Sequence, residues 1–311
     1  MSTATANRRG NVVIVILACI LALCAIVPVG LHFAQKRHNR LPLDVARQYP
    51  AQKPIVSGEV FAAALKAIME HELSTGSGWR PNDFFLWGPA LWADNNANRQ
   101  LGIIQAVRES TRVFKDHLTK VSANEFDANL VIADTAFRND AAKFWLPSAE
   151  SKFQQGVQAL DRYLGGLKTT PPKSKPINRR NVELIRLFQN WTDLLGDAHA
   201  NLFKEHEADG NPVPMWRNDD YFYHAQGFAH VTYHLTLALR REYHEDLVGR
   251  PTVLALFDEV AAALGRAATL KPLVVLEGAP SGVLANHRRN LDVYIIEARQ
   301  KMYSIREELE K

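Results

Sequence analysis

Apolar positions along the chain follow two regimes. Residues 12–31, VVIVILACILALCAIVPVGL, form an unbroken apolar run without a charge. As a helix this run rises about 30 Å, the thickness of a bilayer's hydrocarbon core, and so predicts a transmembrane helix. From residue 57 onward apolar side chains recur every three or four positions, the period of a helix with one buried face. That regime predicts an all-α fold: an N-terminal transmembrane helix followed by a multi-helix bundle over residues 57–311. A tail, 1–11, precedes the span, and a juxtamembrane linker, 32–56, follows it, with Pro42, Pro50 and Pro54 interrupting any helix.

Within the bundle the period predicts a helix at 58–73 and a second at 96–119 that aligns Leu101, Ile104, Val107, Phe114 and Leu118. A third opens at Ser122 with Glu125 as a capping box and presents Phe126, Leu130, Ala133, Phe137 and Phe144. The fourth, 148–167, follows Pro147 and stops at Gly165-Gly166. Further helices are expected at 178–204, 219–246, 252–269 and 287–310. Between the fourth and fifth, KTTPPKSKPIN (168–178) either separates two subdomains or connects two helices of one core; one continuous core is the favoured reading. In the last helix Leu291, Ile295, Ala298, Met302, Ile305 and Leu309 form a bundle seam, which predicts docking onto its own domain rather than onto a partner. PLVVLEGAP, 272–280, reads as an extended connector or a short strand.

With 47% hydrophobic and 23% charged residues in 311, the chain can bury one large core or two smaller ones. The net charge of +4 comes from dispersed Lys and Arg, and the cluster Lys36, Arg37 and Arg40 suits anionic lipid headgroups. No nucleic-acid surface is implied. Cys19 and Cys24 both lie in the apolar run, which leaves the rest of the chain without a thiol for a disulfide or a thiolate metal site. The run is too long for a cleaved signal peptide and ends without a small-x-small exit. Leu17 disfavours lipidation at Cys19, and Gly10 and Asn11 disfavour a twin-arginine signal. Basic residues on both sides nearly balance the positive-inside count. The short basic tail has the form of an uncleaved signal anchor, which places the helical domain in the periplasm.

SGWRPNDFFLWGPALW, 77–92, interrupts the helices with three tryptophans and two phenylalanines among glycines and prolines. Such aromatics could plug the core, lie at the membrane interface, or form a binding platform with Trp79, Arg80, Asn82 and Asp83. His230 and His234, four apart on one helix, could share a metal ion with a third ligand from His199, Asp197, Glu205 or His206. Val231 replaces the glutamate of an HExxH enzyme, and His199 also fits its own helix's apolar seam, where a neighbour would hydrogen-bond it. Asp219 and Asp220 open a helix, where capping explains carboxylates. GAPSG, 278–282, lacks the Lys-Ser/Thr of a phosphate loop, and Ser281 lacks a nucleophile elbow.

The blocks GSGWRPND, NRQLGIIQAVRES, RNDAAKFWLPSAESKFQQG, DDYFYHAQG, PLVVLEGAP and NHRRNLDVYIIEAR, spread over nearly the whole chain after the membrane span, resemble the bacterial membrane-anchored family known as domain of unknown function 2333. The resemblance implies a Gram-negative inner-membrane setting and no established activity. It directs attention to Trp79, Pro81, Asn82 and Asp83, to Asp220, Tyr223 and Gly227, and to Asn286 and His287. The expectation is a single-pass inner-membrane protein acting as an envelope binding or scaffold protein rather than an enzyme. It needs no cofactor, and its partners are membrane lipid and a protein or envelope polymer. The alternative is a membrane-tethered, metal-dependent hydrolase using the His230/His234 stripe.

Overall fold

The computed structural model describes residues 11–24, 26–27, 30, 45–50, 52–83, 94–120, 125–272, 274–278 and 284–311. Eight long helices make the bundle: α1 (Glu59–Ser74), α2 (Asp94–Val113), α3 (Ala128–Phe137), α4 (Ala149–Leu167), α5 (Asn181–Phe203), α6 (Asn218–Glu242), α7 (Pro251–Thr269) and α8 (His287–Glu310). No strand is present among the described residues; PLVVLEGAP contributes only an isolated antiparallel bridge between Glu277 and Asn286. Residues 11–24 are helical with their large apolar side chains exposed, yet no helix among the described residues is long and apolar enough to cross a membrane. The expected tail, most of the linker, the Ser122 cap, the aromatics at 84–93 and the centre of GAPSG lie outside the described residues.

A single apolar cluster runs through every helix of the bundle, from Val60 and Phe61 on α1 to Ile305 and Leu309 on α8. The 168–178 connector is stitched to that core. Ile177 N–H donates to Ser57 O at 3.2 Å, Asn178 N–H to Leu118 O at 2.7 Å, and Tyr163 OH to Lys175 O at 2.6 Å. The α8 seam of Leu291, Ile295, Ala298, Met302, Ile305 and Leu309 is wholly buried, against α5 and α7, so it offers nothing to a partner. The third helix is shorter than its pattern. Asp127 caps it by accepting from Asn129 and Leu130 N–H, leaving Phe126 before its start, and it ends at Phe137, leaving Phe144 beyond its end; both phenylalanines are exposed. The second ends in one π turn, Phe114–Leu118.

Helix polarity gives the bundle two distinct ends. At one, the Glu242 carboxylate accepts from the N–H groups of Gly58, Val60 and Phe61 at 3.1, 2.6 and 3.1 Å, satisfying the orphan donors at the start of α1. Arg241 beside it donates to the carbonyls of Tyr49, Pro50 and Lys53, so the chain arriving from the N-terminus docks here. The end of α4 (Lys168 to Glu59, 2.8 Å) and the end of α8 (Asn181 to Leu309 O, 3.1 Å) lie at this same tether end. The opposite, far end gathers the C-termini of α1 and α5 with the N-termini of α2, α4, α6 and α8. There α2 and α6 run parallel in close contact. Asn98 meets Asp220, and a Cβ on Gly102 would lie 2.0 Å from His224 O.

Candidate functional site

WRPND builds a support. Trp79 is 3% exposed; its indole packs edge-on against Phe153 and donates to Ala141 O at 2.9 Å. Asn82 donates to Lys143 O at 3.1 Å and to the Glu150 carboxylate at 2.8 Å. Gln100 of α2 accepts from Arg80 N–H and donates to Gly78 O, while Arg80 pairs with Asp83. Burial raises the Asp83 carboxyl against the pull of Arg80. Trp79, Arg80 and Asn82 are therefore buried, so Trp79 follows the core-plugging reading of this stretch rather than the platform one. The cause is the gap between α1, α2 and α4, which only large aromatic and hydrogen-bonding side chains can fill.

What this support holds is the segment just before α4. Ala141 O and Lys143 O are pinned by Trp79 and Asn82, Ala149 N–H closes back onto Lys143 O at 3.0 Å, and Arg108 donates to Phe137 O and Asn139 O. From the resulting loop Phe144, Trp145 and Leu146 project, 52%, 78% and 92% exposed, with the two aromatic rings stacked edge-on. Sequence reasoning missed this finger because Phe144 fits the helical period. The signal available was the run Phe-Trp-Leu directly before Pro147 and the Ser148 cap, where no helix can continue backward.

A second feature occupies the same end. Asn95, Met215, Trp216, Asp219, Tyr223, Val274, Val275 and Leu276 line a cavity of about 320 Å³ at the converging N-termini of α2 and α6. Its outer wall, 274–278, is fastened by the two C-terminal candidates. His287 Nδ1 accepts from Leu276 N–H at 3.0 Å, and Asn286 donates to Gly278 O at 3.0 Å while capping α8. Arg288, fully buried, donates to Asn218, Glu277, Asn201 O and Lys204 O. Asp94 and Asp220 flank the cavity. Burial, then the charges of Asp94 and Asp219, push the Asp220 carboxyl up to about 6, although Asn98 donates to it. Burial, then Asp219 and Asp94, push Tyr223 up to about 12. The eight candidate binding residues thus separate into two groups: Trp79, Arg80, Asn82 and Asp83 belong to the support of the finger, whereas Tyr223 lines the cavity, Asn286 and His287 fasten its wall and Asp220 sits beside Asp219 at the start of α6.

The histidines do not assemble a metal centre. His230 and His234 stack with ring centroids 4.7 Å apart, both buried, but His199 on α5 is bonded to Asp292 of α8 at 2.8 Å. Among the described residues no group of three or more His, Cys, Asp or Glu side chains could hold a metal ion. His230 instead lies beside the buried Glu72–Arg99 pair, with its Nε2 sealed and without a hydrogen-bond partner. Burial first, then Arg99 and His234, holds its pKa well below the ordinary value. Below pH ~6.5 the unfolded chain takes up a proton that folded His230 refuses, so stability falls as pH drops, by at most about 1.4 kcal/mol per pH unit. Raised carboxyls such as Asp220 act in the opposite sense, so a comparison is needed. In urea denaturation between about pH 7.5 and pH 5, His230→Gln should lose stability less steeply than wild type by close to one proton. Equal slopes would show that His230 titrates normally.

The family model for an uncharacterised protein conserved in bacteria, domain of unknown function 2333, matches residues 6–196 and 177–311. The chain belongs to this family. No curated protein and no solved structure matches it. Parts of every block that carried the resemblance fall, among the described residues, on the far-end features or on the α2–α6 contact behind them. WRPND and RNDAAKFWLP form the finger and its support, NRQLG and DDYFYHAQG the parallel helix pair, and PLVVLEGAP with NHRRN the cavity wall.

Proposed function

We propose that the chain is a docking protein anchored in the bacterial inner membrane by residues 12–31, which holds a helical domain in the periplasm and captures a protein partner through the end of the bundle remote from the anchor. One observation carries this reading: Phe144, Trp145 and Leu146 stand exposed on a loop whose base is locked by Trp79, Asn82 and Arg108. Exposing Trp and Leu side chains to water is unfavourable by about 25 cal/mol per Å² of apolar surface, and a rigid mounting removes much of the entropy cost of binding. Aromatic anchors of this kind dominate the energetics of protein interfaces. Met215 and Trp216 add exposed apolar surface at the same end. The anchor is supported by the uncharged length of residues 12–31 and by the exposed large apolar side chains of helical residues 11–24.

The test places a photocrosslinking amino acid at Trp145 and, at the tether end, at the exposed Val248, in the full chain in cells. A discrete adduct with one protein should form from position 145 and be lost in a Leu146→Ser background, with none from position 248. Identical adduct patterns from both ends, or none from position 145, would sink the proposal.

A further inference from the structure

We infer that the far-end cavity receives the Phe144-Trp145-Leu146 finger of a second copy of this chain, with the Trp145 indole as the inserted side chain. The inference rests on the finger being the recognition element, and it names the partner that the finger engages.

Size and polarity favour this occupant. Within one copy the two features stay apart, because Trp145 stands exposed and is not among the residues that line the cavity. Met215, Val274, Val275 and Leu276 give the cavity an aliphatic wall, and Trp216 and Tyr223 add two aromatic rings. Its volume of about 320 Å³ corresponds to roughly ten water molecules. An indole side chain has about that many non-hydrogen atoms, bonded more closely than waters pack, so the space accepts it. A buried indole also needs an acceptor for its N–H. The Tyr223 hydroxyl supplies one: it lines the cavity, is not sealed from it, and makes no hydrogen bond with any described residue. Met215, Trp216 and Val274 are exposed, so they can cover Phe144 and Leu146 around the inserted ring.

The charges beside the two features have opposite signs. At the finger, Lys143 makes no ion pair with any described residue, and Arg108 at the loop's base donates only to the carbonyls of Phe137 and Asn139. The acidic residues of the loop are already engaged, Asp140 by the N–H of Ala142 and Glu150 by the Asn82 amide. At the cavity, Asp94, Asp219 and Asp220 lie close enough to act on one another's carboxyls. The two helix N-termini oppose them with about half a positive charge each, which three carboxylates outweigh. Arg217, the cation that acts on Asp220, is held by Glu207 at 3.2 Å. A finger entering the cavity brings Lys143 toward this acidic rim, which steers the encounter and fixes its orientation. Every copy carries both halves of the match, and anchors in one membrane hold the far ends of neighbouring copies at a common height.

The test is disulfide trapping of the full chain in cells. Cys19→Ala and Cys24→Ala remove the native thiols, so the introduced cysteines are the only ones. Two differently tagged copies are expressed together: one carries Leu146→Cys, which keeps the Trp145 anchor, and the other Val274→Cys on the exposed wall of the cavity. Brief oxidation with copper phenanthroline should yield a species carrying both tags. A Val248→Cys copy, labelled at the tether end, should yield none when it replaces the Leu146→Cys copy. Adding Trp145→Ala to the finger copy should lower the yield about tenfold or more, the size of effect for truncating an aromatic anchor. Tyr223→Phe in the cavity copy and Lys143→Glu in the finger copy should each lower it several-fold. No doubly tagged species, equal trapping from Val248→Cys, undiminished trapping with Trp145→Ala, or no effect of either Tyr223→Phe or Lys143→Glu would each overturn the inference. Photocrosslinking from Trp145 is read separately: an adduct with a different protein alone removes this inference and leaves the finger as the recognition element, whereas the absence of any adduct removes both.

Discussion

Gly102→Ala will lower the stability of the bundle by roughly 3 kcal/mol or more, because its new methyl would sit 2.0 Å from the backbone oxygen of His224. The obstacle is main chain on a helix packed in the core, so no rotamer change relieves it, and α2 and α6 must move apart. Gly227→Ala meets the same pair of helices from the other side, 2.2 Å from Arg99 O. The expected fall in thermal midpoint is about 6–12 °C for a domain of this size. Gly165→Ala is the control: a Cβ there meets nothing within 4 Å, and removing a glycine from the end of a helix should be neutral or stabilising by up to about 1 kcal/mol. The measurement is thermal unfolding by circular dichroism. A Gly102→Ala protein that melts within about 2 °C of wild type would show that the helices are not in the contact described. Because Asp94, Asn95, Asp219 and Tyr223 occupy the same helix ends, the two glycine variants should also disturb the cavity.

Arg288→Met is expected to cost about 3–5 kcal/mol, the magnitude for removing one partner from a buried charged network. Methionine replaces the aliphatic stem, so little packing is lost. The loss comes from stranding Asn218 Oδ1, the carbonyls of Asn201 and Lys204, and Glu277, which together receive four hydrogen bonds at 2.6–3.0 Å. Arg288→Lys should recover less than half of the stability, since a single ammonium cannot span four acceptors on three segments as a planar guanidinium does. Urea denaturation measures both variants. Full stability in the lysine protein would mean that the site needs only a charge. The Glu277 bond also links this position to the cavity wall.

Much of the helical architecture was legible in the residues. The seam Leu291, Ile295, Ala298, Met302, Ile305 and Leu309 specified both the extent of α8 and its buried face, because a 3.6-residue period leaves one consistent inward stripe. Pro147 with Ser148 marked the start of α4 for a local reason, a cap followed by its unpaired donors. The third helix shows the limit. Phe126 matched its period, but Asp127 captured the first free N–H groups and left it outside the helix start. Capping is a competition between nearby candidates that periodicity does not rank.

By itself, then, the sequence determined the helical fold class, the position of its apolar N-terminal run, the faces that build the core, and the family to which the chain belongs. Tertiary structure decided where its candidate residues meet. Trp79 and Asn82 became supports because their polar atoms found carbonyls some 60 residues away, at Ala141 and Lys143. His199 is paired instead with Asp292 of another helix. Asp219 and Tyr223 met Asn95 and Val274 only because α2 and α6 run parallel and Arg288 and His287 hold the intervening wall. The physical reason is common to all three: a periodic pattern specifies which side of a helix is buried, whereas convergence depends on helix polarity and on pairings between residues far apart in the chain, which no local signal records.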